Sequence, residues 1–170
     1  MVGPPFEAFA LSVPDAADLL DAANWTKTNG ISFEGDWVKG DRTGWLEGNV
    51  VVAPDGRLVN ILRVNATEAA DVPFALDGPA RGIPRYEVAA MMEVGPEPDK
   101  IRFVPERGFF QFPGSQSKFT IRFDPVSKRY WSLVQKITAP AAGRGGADFL
   151  PTYQRNVLRL TSSADLRQVI

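Results

Sequence analysis

The sequence predicts an all-β protein made of antiparallel four-stranded blades of a β-propeller, with about two and a half blades present. Three observations predict this class. Short segments in which apolar and polar residues alternate recur along the chain. Fourteen Pro and fifteen Gly separate these segments, which favours many short elements joined by turns over long helices. Two hairpins of the same design also recur at a fixed distance.

The two hairpins are each closed by a turn that contains an aspartate. They pair segments 49–53 with 58–64 and 118–123 with 130–134. In the first turn Gly56 can supply the positive φ that a tight hairpin needs. Asp55 and Asp124 occupy equivalent turns 69 residues apart, and the tripeptide Ala-Asp-Leu of 17–19 returns at 164–166. This spacing indicates a repeated unit, whereas a β-sandwich would have as many strands without the repeat.

The remaining segments complete the predicted units. Further strands are expected at 85–94, 100–104 and 156–161, and only 16–23 has a helical composition. The repeat divides the chain into a blade remnant at 1–44, a blade at 45–114 and a second blade at 115–170. Closed propellers have about four to eight blades. We therefore expect a piece of a longer protein, or copies that associate through unclosed blade edges.

Composition excludes several kinds of chemistry. The chain has no Cys and no His, which excludes disulfides, thiolate nucleophiles, a Cys/His zinc site and a Ser-His-Asp triad. No metal site or cofactor is predicted. A net charge of −1 makes nucleic acid a poor partner. No apolar run approaches the length of a membrane span, and the first residues do not resemble a secretory leader. Localisation is left open.

One acidic and one basic residue are predicted to meet at one end of the first hairpin. Glu47 lies eight residues before the turn centre near Asp55, and Arg63 lies about seven residues beyond it. Antiparallel pairing then brings both to the same end of the sheet. The simplest interpretation is a cross-strand ion pair worth well under ~1 kcal/mol.

Segment 47–63 resembles a sialidase pattern. In that pattern a glutamate opens an inner strand, a turn ending in Asp-Gly follows, and a leucine-containing strand closes on an arginine. The resemblance implies that Glu47 is a base acting toward a tyrosine nucleophile. It implies that Arg63 is one of three arginines that bind the sugar carboxylate, a contact suited to bidentate guanidinium recognition.

Two further segments are similar to the Asp-box turns of that superfamily. Segment 162–167 has the serine and aspartate, and segment 18–25 ends in the expected tryptophan. The family also needs an aspartate acid/base and a first arginine, which in a fragment would precede Met1. Tyr130 lies one strand too late for the nucleophile, and Tyr153 lies in a Pro-flanked loop without the expected flanking residues.

Other candidate binding residues surround the predicted pair. Trp45 and Asn49 flank Glu47, and Trp45 is expected to stack on a sugar. Lys118 and Arg122 of the second hairpin are candidate cations for an acidic sugar, and Tyr130 is a further candidate contact. Phe109, Phe110 and Phe112 are expected mainly to fill space between blades.

Three functions are compatible with these residues. The first is a sialidase-like (exo-α-sialidase type) glycoside hydrolase fragment that acts on acidic sugars of glycoconjugates. The second is a non-catalytic carbohydrate-binding or structural propeller. The third is an arabinanase-like five-bladed glycosidase with an aspartate base and a glutamate acid. Propellers carry unrelated functions, so fold alone does not separate these alternatives.

Overall fold

The structure, a computed structural model, describes residues 6–38, 42–67, 75–97, 99–138 and 154–170. These residues form mainly antiparallel β-structure, which confirms the all-β class. The strands are β1 (Leu11–Ser12), β2 (Thr26–Lys27), β3 (Arg42–Val52), β4 (Leu58–Thr67), β5 (Val88–Val94), β6 (Ile101–Arg102), β7 (Phe109–Gln111), β8 (Thr120–Asp124), β9 (Arg129–Gln135) and β10 (Leu158–Ser163). Helical turns are short: 3₁₀ helices at Ala22–Asn24, Gly78–Ala80 and Arg85–Glu87, and α1 at Pro105–Gly108.

The large sheet is a meander in the order β3-β4-β5-β6, and β7 also pairs with β5. The predicted turn joins β3 to β4: Gly56 has a φ of 84°, and the Asp55 carboxylate accepts a hydrogen bond from the Arg57 N–H. Both strands extend further than the sequence pattern predicts. A bulge interrupts their pairing between Trp45 and Gly48, so Glu47 lies within an irregularity of β3.

Both faces of the large sheet are buried. Val88, Ala90 and Met92 of β5 belong to one apolar core, whereas Ala89 and Met91 belong to a second. The second core lies between the large sheet and the sheet formed by β8–β10. This two-sided burial explains why β5 is a continuous apolar run without alternating polar residues.

The second sheet has the order β10-β9-β8 and contains the second predicted hairpin. The Asp124 carboxylate closes its turn by accepting hydrogen bonds from the Val126 and Ser127 N–H groups. The Asp55 carboxylate likewise accepts a backbone hydrogen bond within the first turn. The Tyr130 hydroxyl donates to the Val52 carbonyl at 2.6 Å and so ties the two sheets together.

The segment before β3 differs from its prediction. The helix expected over 16–23 is wrong: most of this segment is turns, and only Ala22–Asn24 is a 3₁₀ helix. Asp18 and Asp21 accept hydrogen bonds from nearby backbone N–H groups, which favours turns over helix. The turns connect β1 to β2, which pair with each other.

Two of the other expected strands are shorter than predicted, and the one expected at 156–161 is shifted by two residues to Leu158–Ser163. Of 85–94, the first three residues form a 3₁₀ helix, and of 100–104 only Ile101–Arg102 is strand. The predicted box at 162–167 is a turn in which Asp165 accepts from the N–H groups of Arg167 and Gln168. The three Phe residues predicted to fill space are buried.

No closed barrel or ring of sheets is formed by the part of the chain that the structure describes. Antiparallel all-β architecture is therefore established, and the division into blades is a finer statement than these sheets support. Across the same residues, no helix has the length and apolarity needed to cross a membrane.

Candidate functional site

The predicted meeting of Glu47 and Arg63 is confirmed. The Arg63 Nη1 donates to Glu47 Oε2 at 2.5 Å at the bulge of β3, where the pairing of β4 with β5 ends. Beyond this contact β3 and β4 remain paired for four more residue pairs, from Trp45–Val64 to Arg42–Thr67. The hairpin register explains the encounter, because Gly48 pairs with Leu62 and Trp45 with Val64 on either side of the bulge. The bulge turns Glu47 outward to meet a side chain that projects from the neighbouring strand.

Arg63 is held from behind by the segment that precedes β8. Its Nη2 donates to the Gln116 carbonyl at 2.6 Å, and only 9% of its side chain is exposed. Gln116 is itself fixed, because its Nε2 donates to the carbonyls of Val64 and Arg85 at 2.9 and 2.8 Å. The contacts of Arg63 with the Gln116 carbonyl and the Glu47 carboxylate define the orientation of its buried guanidinium, one edge of which faces Glu47.

Lys118 is a second cation on the same carboxylate. Its Nζ lies 3.2 Å from Glu47 Oε1, and its side chain is 72% exposed. Burial raises the pKa of the Glu47 carboxyl, but hydrogen bonds from its own backbone N–H and from Lys118, with the charge of Arg63, lower that pKa on balance. Glu47 is therefore ionised at neutral pH and is bound by one buried and one exposed cation. We call Glu47, Arg63 and Lys118 the hairpin-end cluster.

A close approach of the two strands supports this arrangement. A Cβ atom on Gly48 would lie 2.3 Å from Asn60 Oδ1, inside any normal contact. Asn60 is buried. Gly48 therefore allows the Asn60 side chain to lie directly over β3, beside the bulge that presents Glu47.

Asn49 lies near the cluster but is used structurally. Its Nδ2 donates to the Phe119 carbonyl at 3.2 Å, which links β3 to the start of the second sheet. Asn49 therefore helps to bring Lys118, the residue before Phe119, close to Glu47.

Trp45 does not contact an open surface, which corrects the expectation that it stacks on a sugar. Its side chain is 1% exposed, and its Nε1 donates to the Ile31 carbonyl at 2.9 Å. The ring packs edge-to-face on Phe33, with centroids 4.7 Å apart. In a regular strand, Trp45 and Glu47 would share a face; the bulge between them places one in the core and the other outside.

Arg122 and Tyr130 are not part of the hairpin-end cluster. Arg122 is exposed on β8 and donates to the carbonyl of its neighbour Ile121. Tyr130 lies at the Val52 end of β3, five residues from Glu47, or about 16 Å along a strand. Burial and the nearby charge of Asp55 raise the pKa of the Tyr130 hydroxyl. Tyr153 lies outside the described residues.

Sequence reasoning missed Gln116, the residue that fixes Arg63. It follows Gly114, whose φ of 80° marks a turn, but a single glutamine after a Pro-Gly turn has no pattern that distinguishes it. Its position becomes informative only when the fold brings it to β4.

Comparison with known proteins gives no relative: no family model, curated protein or solved structure matches this chain.

Proposed function

We propose that this chain is part of a sialidase-like propeller glycoside hydrolase and that its hairpin-end cluster engages an acidic sugar. In this proposal β3–β6 form one four-stranded blade, and β8–β10 are strands of the next. The meander order of the large sheet and the matching aspartate turns at Asp55 and Asp124 support the division into blades.

The observation that carries the proposal is the contact between Glu47 and Arg63. These are the two residues that the resemblance selects, and their side chains meet at 2.5 Å at the bulge of β3. Lys118, which is largely exposed, adds a cation that a sugar carboxylate can reach. Glu47 retains exposed surface with which to accept hydrogen bonds from sugar hydroxyls.

A non-catalytic carbohydrate-binding role is the second candidate, and two observations favour it. The pKa of Glu47 is lowered, whereas an efficient general base has a pKa near the working pH. Tyr130 donates its hydroxyl to Val52 and lies well away from Glu47 along β3. In this second role the cluster binds an acidic sugar without cleaving it.

Paired binding and turnover measurements separate the two roles. Binding of sialyllactose, with lactose as the neutral control, is followed by NMR or calorimetry, and turnover is followed with a fluorogenic sialoside. We expect Lys118→Met to weaken sialyllactose binding about tenfold, because a charge-assisted hydrogen bond is lost. The exposed Lys136→Met is the matched control and leaves binding unchanged.

Turnover distinguishes the hydrolase from the binding module. Hydrolysis that is lost in Glu47→Gln but kept in Glu34→Gln, an exposed glutamate before β3, supports the hydrolase. Specific binding without turnover supports the second candidate. If the wild-type chain binds sialyllactose no more tightly than lactose and does not hydrolyse the sialoside, both candidates are rejected.

A further inference from the structure

A second charged site lies at the turn end of the β3–β4 hairpin. Three arginines from distant parts of the chain converge on one open cleft: Arg57 from the β3–β4 turn, Arg107 from α1, and Arg167 from the turn after β10. In the register of β4 with β5, Val59 pairs with Glu93 at the cleft, whereas Arg63 pairs with Ala89. These positions are four residues apart, or about 13 Å along the strand, so the cleft is separate from the hairpin-end cluster.

The cleft has an apolar floor and a charged rim. Val59, Met91 and Val104 line its floor, and Glu93 is the acidic residue that lines it. Glu93 Oε1 lies 2.8 Å from Arg57 Nη1 and 3.6 Å from Arg107 Nη2. The lining thus contains three positive charges and one negative charge.

Two carboxylates outside the lining also face these arginines. Asp55 binds Arg57 through both Nε and Nη2, and Glu93 accepts from Nη1, so each guanidinium nitrogen of Arg57 already has a carboxylate partner. The carboxylate of Asp165 is occupied by its own turn, where it accepts from the backbone N–H of Arg167. The charge of Asp165 offsets part of the charge of Arg167, but neither Asp55 nor Asp165 accepts a hydrogen bond from the guanidinium of Arg107 or Arg167.

The Arg167 side chain is held by two contacts, and some of its hydrogen-bond donors remain available to a ligand. Its Nη1 donates to the Arg107 carbonyl at 2.9 Å, and its guanidinium lies over the Phe110 ring at 5.3 Å. Among the residues that the structure describes, the other guanidinium nitrogens of Arg167 have no hydrogen-bond acceptor, and Arg107 has only the long contact to Glu93. Burial lowers the pKa of Arg167; the charges of Asp165 and Glu93 oppose this effect and the like charges of Arg107 and Arg57 add to it, so that the pKa is lowered on balance. Two neighbouring cations in this setting are stabilised by an anion between them.

We propose that this cleft binds a doubly charged oxyanion group, a phosphate or sulfate, between Arg107 and Arg167. Guanidinium forks match the oxygen geometry of such groups, and bidentate guanidinium–oxyanion contacts are stronger than neutral hydrogen bonds. Two charges are needed because the group must compete with Glu93 for Arg107. The proposal is independent of any sugar binding at the hairpin-end cluster.

Titration with inorganic phosphate and with inorganic sulfate tests the proposal, at constant ionic strength maintained with chloride. Backbone amide NMR shifts of Gly108 and Arg167 report occupancy. We expect saturable shifts with phosphate, sulfate or both, and at least tenfold weaker binding of acetate, which has one charge. Arg107→Gln and Arg167→Lys should each weaken binding at least fivefold, and the exposed Arg159→Gln should change it less than twofold.

Glu93→Gln separates an anion site from a structural network of ion pairs. If Glu93 competes with the ligand, this substitution strengthens phosphate or sulfate binding severalfold, even where it lowers stability. Non-saturable shifts that chloride reproduces would overturn the proposal. So would acetate binding as tight as that of phosphate and sulfate, or unchanged binding in both arginine variants.

Discussion

Glu47→Gln tests whether the carboxylate charge stabilises the fold through Arg63. We expect the free energy of unfolding at pH 7 to fall by about 1 kcal/mol, between the 0–1 kcal/mol of an exposed pair and the 3–5 kcal/mol of a broken buried pair. The Arg63 side chain is 9% exposed, but that of Glu47 is 53% exposed, so water can partly replace the lost charge. Because Glu47 is half exposed, the expected loss of stability lies close to the value for an exposed ion pair.

The cost should depend on pH. The pKa of Glu47 in the folded chain is lowered from its usual value of 4.5: burial raises it, but hydrogen bonds and the neighbouring cations outweigh burial. A carboxyl whose folded pKa lies below its unfolded pKa stabilises the fold above the unfolded pKa, and that stability is lost as the pH falls through the folded pKa. The difference between wild type and Glu47→Gln should therefore be largest above about pH 5 and should shrink below about pH 4.

Urea unfolding followed by tryptophan fluorescence measures this difference at pH 7, 5 and 3.5. Glu34→Gln is the matched control, since Glu34 is exposed and should change stability by less than about 0.5 kcal/mol. An equal loss for Glu47→Gln at all three pH values would refute the electrostatic explanation. Unchanged stability at pH 7 would refute any stabilising role of the pair.

Two further predictions concern the turn end of the same hairpin. Tyr130→Phe removes the hydrogen bond to the Val52 carbonyl and should destabilise the fold by about 1 kcal/mol in urea unfolding; no change would mean that the two sheets do not depend on this tie. Gly56→Ala places a side chain at a φ of 84° and should cost about 1–2 kcal/mol. Gly35→Ala, whose Cβ would have nothing within 4 Å, is its control, and an equal effect in both would contradict the argument.

The hairpins and the Glu47–Arg63 contact were predictable because their signals are local. A turn residue such as Gly56 fixes the hairpin register, and the register decides which side chains meet across the strands. The number of residues between the turn and each side chain was therefore sufficient to predict that Glu47 and Arg63 are in contact.

The remainder of the hairpin-end cluster depends on contacts between distant segments. Gln116 binds Arg63 across 53 residues of sequence, and no periodic pattern marks it. Trp45 was misplaced because a bulge has no reliable sequence signal, and one extra residue reverses the face on which a side chain lies. The cleft arginines were missed for the same reason as Gln116, since the β3–β4 turn, α1 and the turn after β10 meet only in the folded chain.

Burial on both sides of β5 determines which substitutions this strand can accept. Four residues of β5 are fully inaccessible to solvent: Val88, Ala89, Ala90 and Met92. Packing therefore restricts the side chains on both faces of the strand. A methyl group added at Ala89 would press on the second sheet, and one added at Ala90 would press on the tryptophan-rich side. Saturation mutagenesis should therefore find three consecutive intolerant positions at Val88–Ala90, whereas a strand with one solvent-exposed face tolerates substitution at every other position.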